Sequence, residues 1–337
     1  MNAREERPGH AREERLGHAR EERLGHGRAR EERLGLICAG LCALNGAFVP
    51  AVAKLTTDRL DPLAVATVTS LFAAGAAVVV LAMRGELGIL VRRDVLPGLA
   101  AIGALGTALA FFLFFEGARR ATAIEAALCL QTEPVYALIV ARVFLGHRPT
   151  RRRLLASAVA LAGIALAIGV HRLEVTRGLA FILLTPLAWQ LSHVVALRKL
   201  RGISPSVLTG ARYVHGGLLL ALILLVRTGP DVGRLAADLA PALPLLALQG
   251  IVLSYVGTIL WYGAITRIDL ARSTAIVVPS IPLLSFGASF VLLGEVATPA
   301  QWAGLLLTAA GVLAFVTAPP LEAHPARAPQ GGEARAD

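Results

Sequence analysis

The feature that most constrains this chain is a succession of apolar runs, each about 20 residues long, separated by short charged connectors. About 20 residues is the length an α-helix needs to cross a hydrocarbon core of ~30 Å. In lipid every backbone N–H and C=O must be satisfied within its own segment, so the runs read as helices. Ten spans can be drawn: 35–54, 62–83, 96–115, 121–145, 153–170, 178–198, 205–226, 243–262, 271–293 and 299–317. Several open with proline in the first turn (Pro62, Pro205, Pro299), where a missing N–H costs nothing. Of the 337 residues 55% are hydrophobic and only 17% charged, a balance that excludes a soluble domain of this size. The expected fold is all-α and polytopic.

The net charge of +10 does not mark a nucleic-acid binder. The basic residues punctuate apolar runs and form no face interleaved with aromatics. Retention of Lys and Arg on the cytoplasmic side explains them. Outside the N-terminal repeat, one set of connectors holds fourteen Lys and Arg and the other eight, with Arg151, Arg152 and Arg153 the strongest anchor. This places both termini in the cytoplasm of a multi-pass cell-membrane protein. Only Lys54 and Lys199 among the 33 basic residues are lysine, which points to a GC-rich bacterial genome. The lipid bilayer is the expected surrounding.

Cys38, Cys42 and Cys129 lie inside apolar runs and imply no disulfide. Cys38 and Cys42 are one turn apart but lack His or carboxylate neighbours, so they read as small packing residues and no metal site is expected. Residues 1–34 are a charged octapeptide repeat (AREERPGH, then AREERLGH twice, then AREERLG), compatible with a transient helix or with disorder. Residues 318–337, rich in Pro, Gly and Ala, are expected to be a disordered tail.

The two halves of the chain resemble each other. A shift of 148 positions aligns Arg119 with Arg267, Ala123 with Ala271, Pro134 with Pro282, Leu145-Gly146 with Leu293-Gly294, Thr150 with Thr298 and Gly163 with Gly311. Nearer the start of each half the offset shortens, and Pro62 matches Pro205 and Lys54 matches Arg198. The expected organisation is therefore two five-helix repeats, at 35–170 and 178–317. Five is odd, so the second copy inserts upside down, the inverted arrangement of many secondary transporters.

These halves resemble the EamA-type branch of the drug/metabolite transporter superfamily. The resemblance rests on EPVYALIVARVFLG at 133–146 and PSIPLLSFGASFVLLGE at 279–295, with support from LAWQ at 187–190, ISPSVLTGARY at 203–213 and FFEGARRATA at 114–123. It covers roughly residues 35–317. It implies a ten-helix bundle, no bound cofactor, and gradient-driven movement of a small-molecule substrate. The first half departs from the pattern: His147 stands where Glu is usual, Asn45 where Trp is usual, and Thr69 where the second half has Arg212.

Polar residues inside apolar runs are the site candidates. Glu133 lies near the middle of span four, followed by Pro134, which frees the carbonyl of Leu130. It is either a proton or substrate group or a structural hydrogen bond between helices. Tyr136 lies two residues beyond Pro134. Pro282, with Pro279, is the mirrored feature in span nine, with Ile281 in place of the carboxylate. Trp189 and His193 share a face of span six with Gln190 beside it. His193 is a relay or a helix-to-helix donor. Arg212 and His215 lie three apart in span seven. Arg212 either snorkels, pairs with Glu133 or binds an anionic group. Tyr255, Thr258 and Tyr262 share a face of span eight. Glu116 and Glu125 are expected in an interfacial ion-pair cluster with Arg119 and Arg120.

No Walker, GxSxG or HExxH motif is present, and the loops are too short for a catalytic domain. The expected activity is transport rather than catalysis: proton-coupled export of a small metabolite, an amino acid or drug-like solute. A gradient-independent uptake permease or facilitator is the alternative within that class. An intramembrane lipid-modifying enzyme using Glu133, His193 and Arg212 is the alternative from another class. A homodimer stays open.

Overall fold

The computed structural model describes residues 8–144, 146, 149–169, 177–268 and 270–318. His147 and the expected tail beyond Ala318 lie outside them. Among the described residues the regular structure is helical throughout. The helices are α1 (Pro8–Thr57), α2 (Pro62–Met83), α3 (Leu96–Gly103), α4 (Ala110–Arg120), α5 (Ala123–Leu130), α6 (Glu133–Phe144), α7 (Arg151–Ile168), α8 (Arg177–Lys199), α9 (Pro205–Thr228), α10 (Val232–Leu239), α11 (Leu243–Ala247), α12 (Gly257–Ile268), α13 (Leu270–Leu293) and α14 (Pro299–Val316). Helical geometry in α1 reaches back through the octapeptide repeat to Pro8.

Among the described residues eight helical stretches are long and apolar enough to cross a membrane. One of them, Pro205–Ile268, runs for 64 residues and contains α9 to α12. The 18-residue α7 opens on three arginines and is not among the eight. Leucine, valine and phenylalanine side chains such as Val79, Leu155, Leu222, Val226, Phe290 and Val291 face outward, a surface that suits lipid and not water. The chain is a polytopic all-α membrane protein.

Local chemistry fixes the helix starts. Asp61, Ser204 and Thr298 cap α2, α9 and α14, each just before a first-turn proline. Thr122 caps α5 with Glu125 in a reciprocal capping box. Glu125 therefore serves the helix start. In the expected ion-pair cluster, it is Glu116 that bonds Arg120. Gly146 and Gly294, the glycines of the two LG motifs, both take the left-handed conformation, φ 70° and 68°, which glycine adopts without a Cβ penalty.

The helices pair across the two halves. α1 packs on α12 and α13, α8 packs on α4, α5 and α6, α2 packs on α9, and α7 packs on α14. The α7–α14 contact is built on small residues. A Cβ on Gly163 would lie 2.4 Å from Thr308 Oγ1 and 2.7 Å from the Gly304 carbonyl, and one on Gly311 would lie 2.5 Å from Ala160 N and 2.8 Å from the Ala156 carbonyl. Positions rising along α7 thus meet positions falling along α14, so the two helices run antiparallel. α2 and α9 do the same: Gly217 lies against Ser70, and Gly210 lies against Ala77 and Leu81.

Candidate functional site

Helix α5 stops inside an apolar stretch, and α6 starts after a two-residue turn at Gln131 and Thr132. The turn is tight: Gln131 N–H donates to Leu128 O at 3.0 Å and Thr132 N–H to Cys129 O at 3.1 Å. The Thr132 hydroxyl also donates to Cys129 O, at 2.7 Å. The break thus precedes Pro134, and Thr132 closes the chain back on the previous turn. Glu133 is the first residue of α6 and Pro134 the second. A helix N-terminus carries free N–H groups and a positive partial charge, a favourable place for a carboxylate. The proline-bearing α13 shows no such break. There the Ser280 hydroxyl donates to Ile276 O at 2.6 Å, four residues back, inside a continuous helix.

Glu133 sits deep in the bundle yet keeps part of its side chain accessible. Its carboxylate accepts a hydrogen bond from Gln190 Nε2 of α8 at 3.0 Å. Arg212 of α9 lies within electrostatic reach of both Glu133 and His193. The Arg212 guanidinium stands over the Tyr213 ring, 5.4 Å from its centroid, a cation–π geometry. Room for Arg212 comes from Gly106, where a Cβ would lie 2.7 Å from Arg212 Cδ and 2.6 Å from Ser192 Oγ. Gly106 belongs to a π-helical stretch, Ala104–Leu109, that joins α3 to α4. Among the described residues, Arg212 Nε, Trp189 Nε1 and Gln131 Oε1 are buried without a hydrogen-bond partner. Orphaned polar atoms at such depth are costly unless something pairs with them.

A second π-helical stretch, Leu248–Val256, joins α11 to α12. Its wide turn leaves carbonyls open to side chains. Leu253 O accepts from Asn45 Nδ2 at 3.0 Å and Ser254 O from the Tyr213 hydroxyl at 3.2 Å. Asn45, which the sequence marks only as a departure from pattern, thus holds this turn to α1.

The other candidates are placed as follows. Trp189 is half-buried and His193 exposed, on the same helix as Gln190. Tyr136 is half-buried on α6. Tyr255 is buried, edge-on to Tyr213 at 6.4 Å. His215 points to the α2–α3 connector, 3.1 Å from Leu90 O, away from Glu133. Pro282 is buried in α13, whose main partners are α1, α5, α12 and α14, whereas α6 packs on α8. The structure thus brings Glu133, Gln190 and Arg212 together, with Trp189 and His193 alongside, and leaves His215 and Pro282 apart. Gln190 is the contact that sequence reasoning left beside the site; its signal was an uncharged polar residue in an apolar run. Gln131 carried the same signal, and the Gly106 role carried none.

Glu295 has a different task. Its carboxylate accepts from Ala123 N at 3.0 Å and Ile124 N at 3.1 Å, capping α5 from the end of α13.

The profile of the EamA-like transporter family matches this chain twice, over residues 33–169 and 176–317. A curated relative from Streptantibioticus cattleyicolor, described as a probable terminal-alkyne amino-acid exporter, is 30% identical over 224 residues, 65% of this chain and 72% of the relative. One solved crystal structure, of a protein described no further, matches with a TM-score of 0.56 at 18% identity, covering 85% of this chain and 96% of that one. That likeness concerns the fold. The two matched segments take in nearly all the described helices, and the chain belongs to the EamA-like transporter family.

Proposed function

We propose that this protein exports small amphipathic metabolites, amino acids foremost, in exchange for protons, through two inverted five-helix copies. Counting α7, and dividing Pro205–Ile268 at the short α10, gives ten crossings. The antiparallel pairing of α7 with α14 and of α2 with α9 supports the inversion, because equivalent helices of copies inserted the same way would run parallel. Both termini then face the cytoplasm of a cell membrane, as the Lys and Arg bias suggests.

The observation that carries the reading is Glu133 at the start of a broken helix, bonded to Gln190 and beside Arg212. A carboxylate and a guanidinium in one interior site match the ammonium and carboxylate of an amino acid. The relative described as an amino-acid exporter agrees with that class. Protonation of Glu133 would release the cationic end of the solute, which couples export to proton entry. The test is export from proteoliposomes with an imposed pH gradient. Glu133→Gln is expected to lose at least tenfold of proton-driven export while still folding. Full coupled export by that variant would overturn the proton role, and flux indifferent to the gradient in the unaltered chain would make it a facilitator.

A further inference from the structure

A cavity of about 580 Å³ opens where α1 turns into α2, roofed by α10 and the start of α11. It lies well apart in the fold from Glu133, at the end of the bundle that the charge bias puts outside. Most of its wall is leucine, alanine and proline, including Leu235 and Leu239. Its polar lining is Thr56, Arg59, Asp61 and Asp238. Asp61 is already committed: it caps α2 through Ala64 N at 3.1 Å and pairs with Arg227 at 2.7 Å. Among the described residues Arg59 and Asp238 take part in no ion pair, with each other or with any third group. The cavity therefore offers one cation, one anion and an apolar wall.

A string of polar groups leads inward from it. The Thr56 hydroxyl, on a residue only 2% exposed, lies 3.4 Å from Gln249 Oε1. Gln249 is also 2% exposed, and its Nε2 has no partner among the described residues. The Ser254 hydroxyl donates to Gln249 O at 2.9 Å, the Tyr213 hydroxyl donates to Ser254 O, and Arg212 stands over Tyr213. These buried contacts link the cavity wall to the interior groups around Arg212.

We propose that this cavity is a second solute site, taking a zwitterion with an apolar side chain: the carboxylate on Arg59, the ammonium on Asp238 and the side chain against the leucine wall. A purely anionic or purely cationic solute leaves one of the two charges unmatched. The site's place at the exit of the pathway rests on the transport reading above; its ligand chemistry does not.

The experiment is equilibrium binding of radiolabelled L-leucine to the full chain in detergent, beside 4-methylpentanoate and isopentylamine, which carry one charge each. Measuring in the Glu133→Gln background removes the interior site's share. Leucine binding is expected to persist there, to weaken at least tenfold on adding Arg59→Gln or Asp238→Asn, and to survive Arg59→Lys within threefold. Both side chains are exposed, so these changes leave the fold intact. Leucine binding unchanged by both substitutions, no leucine binding in that background, or equal binding of a singly charged analogue would overturn the assignment. Normal coupled export by Glu133→Gln would instead overturn the proton role of Glu133, and no export by the unaltered chain would sink the transport reading; neither result touches the cavity's ligand chemistry.

Discussion

Glu133 and Gln190 meet at 3.0 Å, and the pair shows what a polar contact is worth away from water. Replacing Gln190 with leucine leaves the carboxylate without its amide donor, and an unmade buried hydrogen bond costs roughly 1–3 kcal/mol. Proton-driven export by Gln190→Leu is expected to fall about tenfold, the equivalent of ~1.4 kcal/mol, measured in the same proteoliposomes. Glu295 makes the complementary case, structural and far from Glu133. Glu295→Ala strips two N–H groups of α5 of their acceptor and is expected to destabilise the protein by about 1–3 kcal/mol. Thermal unfolding in detergent reads that loss, and an unchanged midpoint would refute the capping role. At this scale the sequence was half legible. Glu133, Trp189 and Arg212 stand out because a charge or an indole dipole in an apolar run needs a reason. His215 stood out equally, but its partner is a connector carbonyl, Leu90 O, which spacing along one helix cannot foresee.

Among the elements, most spans were readable from apolar length and from the proline starts at Pro62, Pro205 and Pro299, to which the structure adds the Asp61, Ser204 and Thr298 caps. The interruptions were not. The break at Gln131–Thr132 is closed by local bonds to the Leu128 and Cys129 carbonyls, whereas the wide turns at Ala104–Leu109 and Leu248–Val256 lie against partners from other helices. Asn45 and Tyr213 take the carbonyls of the second wide turn, and they lie over two hundred and about forty positions away in the chain. Local propensity contains no trace of such a partner. Gly163 and Gly311, which the repeat offset aligns, both sit in close helix contacts, and they give a paired prediction. Gly163→Leu and Gly311→Leu each drive a side chain into the facing backbone, and overpacking of this kind costs about 1–3 kcal/mol. Equal losses of thermal stability are expected from the two, since their surroundings repeat. A large loss from one and none from the other would contradict the matched contacts.

For the molecule as a whole, the proposed organisation rests on the repeat offset of 148 and the odd number of spans in each half, and the proposed orientation rests on the loops' charge. Reporter fusions check that orientation. An enzyme active only in the cytoplasm, fused at either end, is expected to work at both, and a single cysteine placed at Arg59 is expected to react with a membrane-impermeant thiol reagent added outside. A silent reporter at one terminus would reverse or break the proposed topology.

The small-residue seam between α7 and α14 carries one more consequence. Ala156, Ala160 and Gly163 face Gly304, Thr308 and Gly311 in opposite directions, so each helix offers the shape that its counterpart requires. A fragment truncated to the second segment would carry a sticky edge fitted to a duplicate of itself. Ancestral single-segment proteins joined head to tail along this line would need little redesign to fuse into one polypeptide.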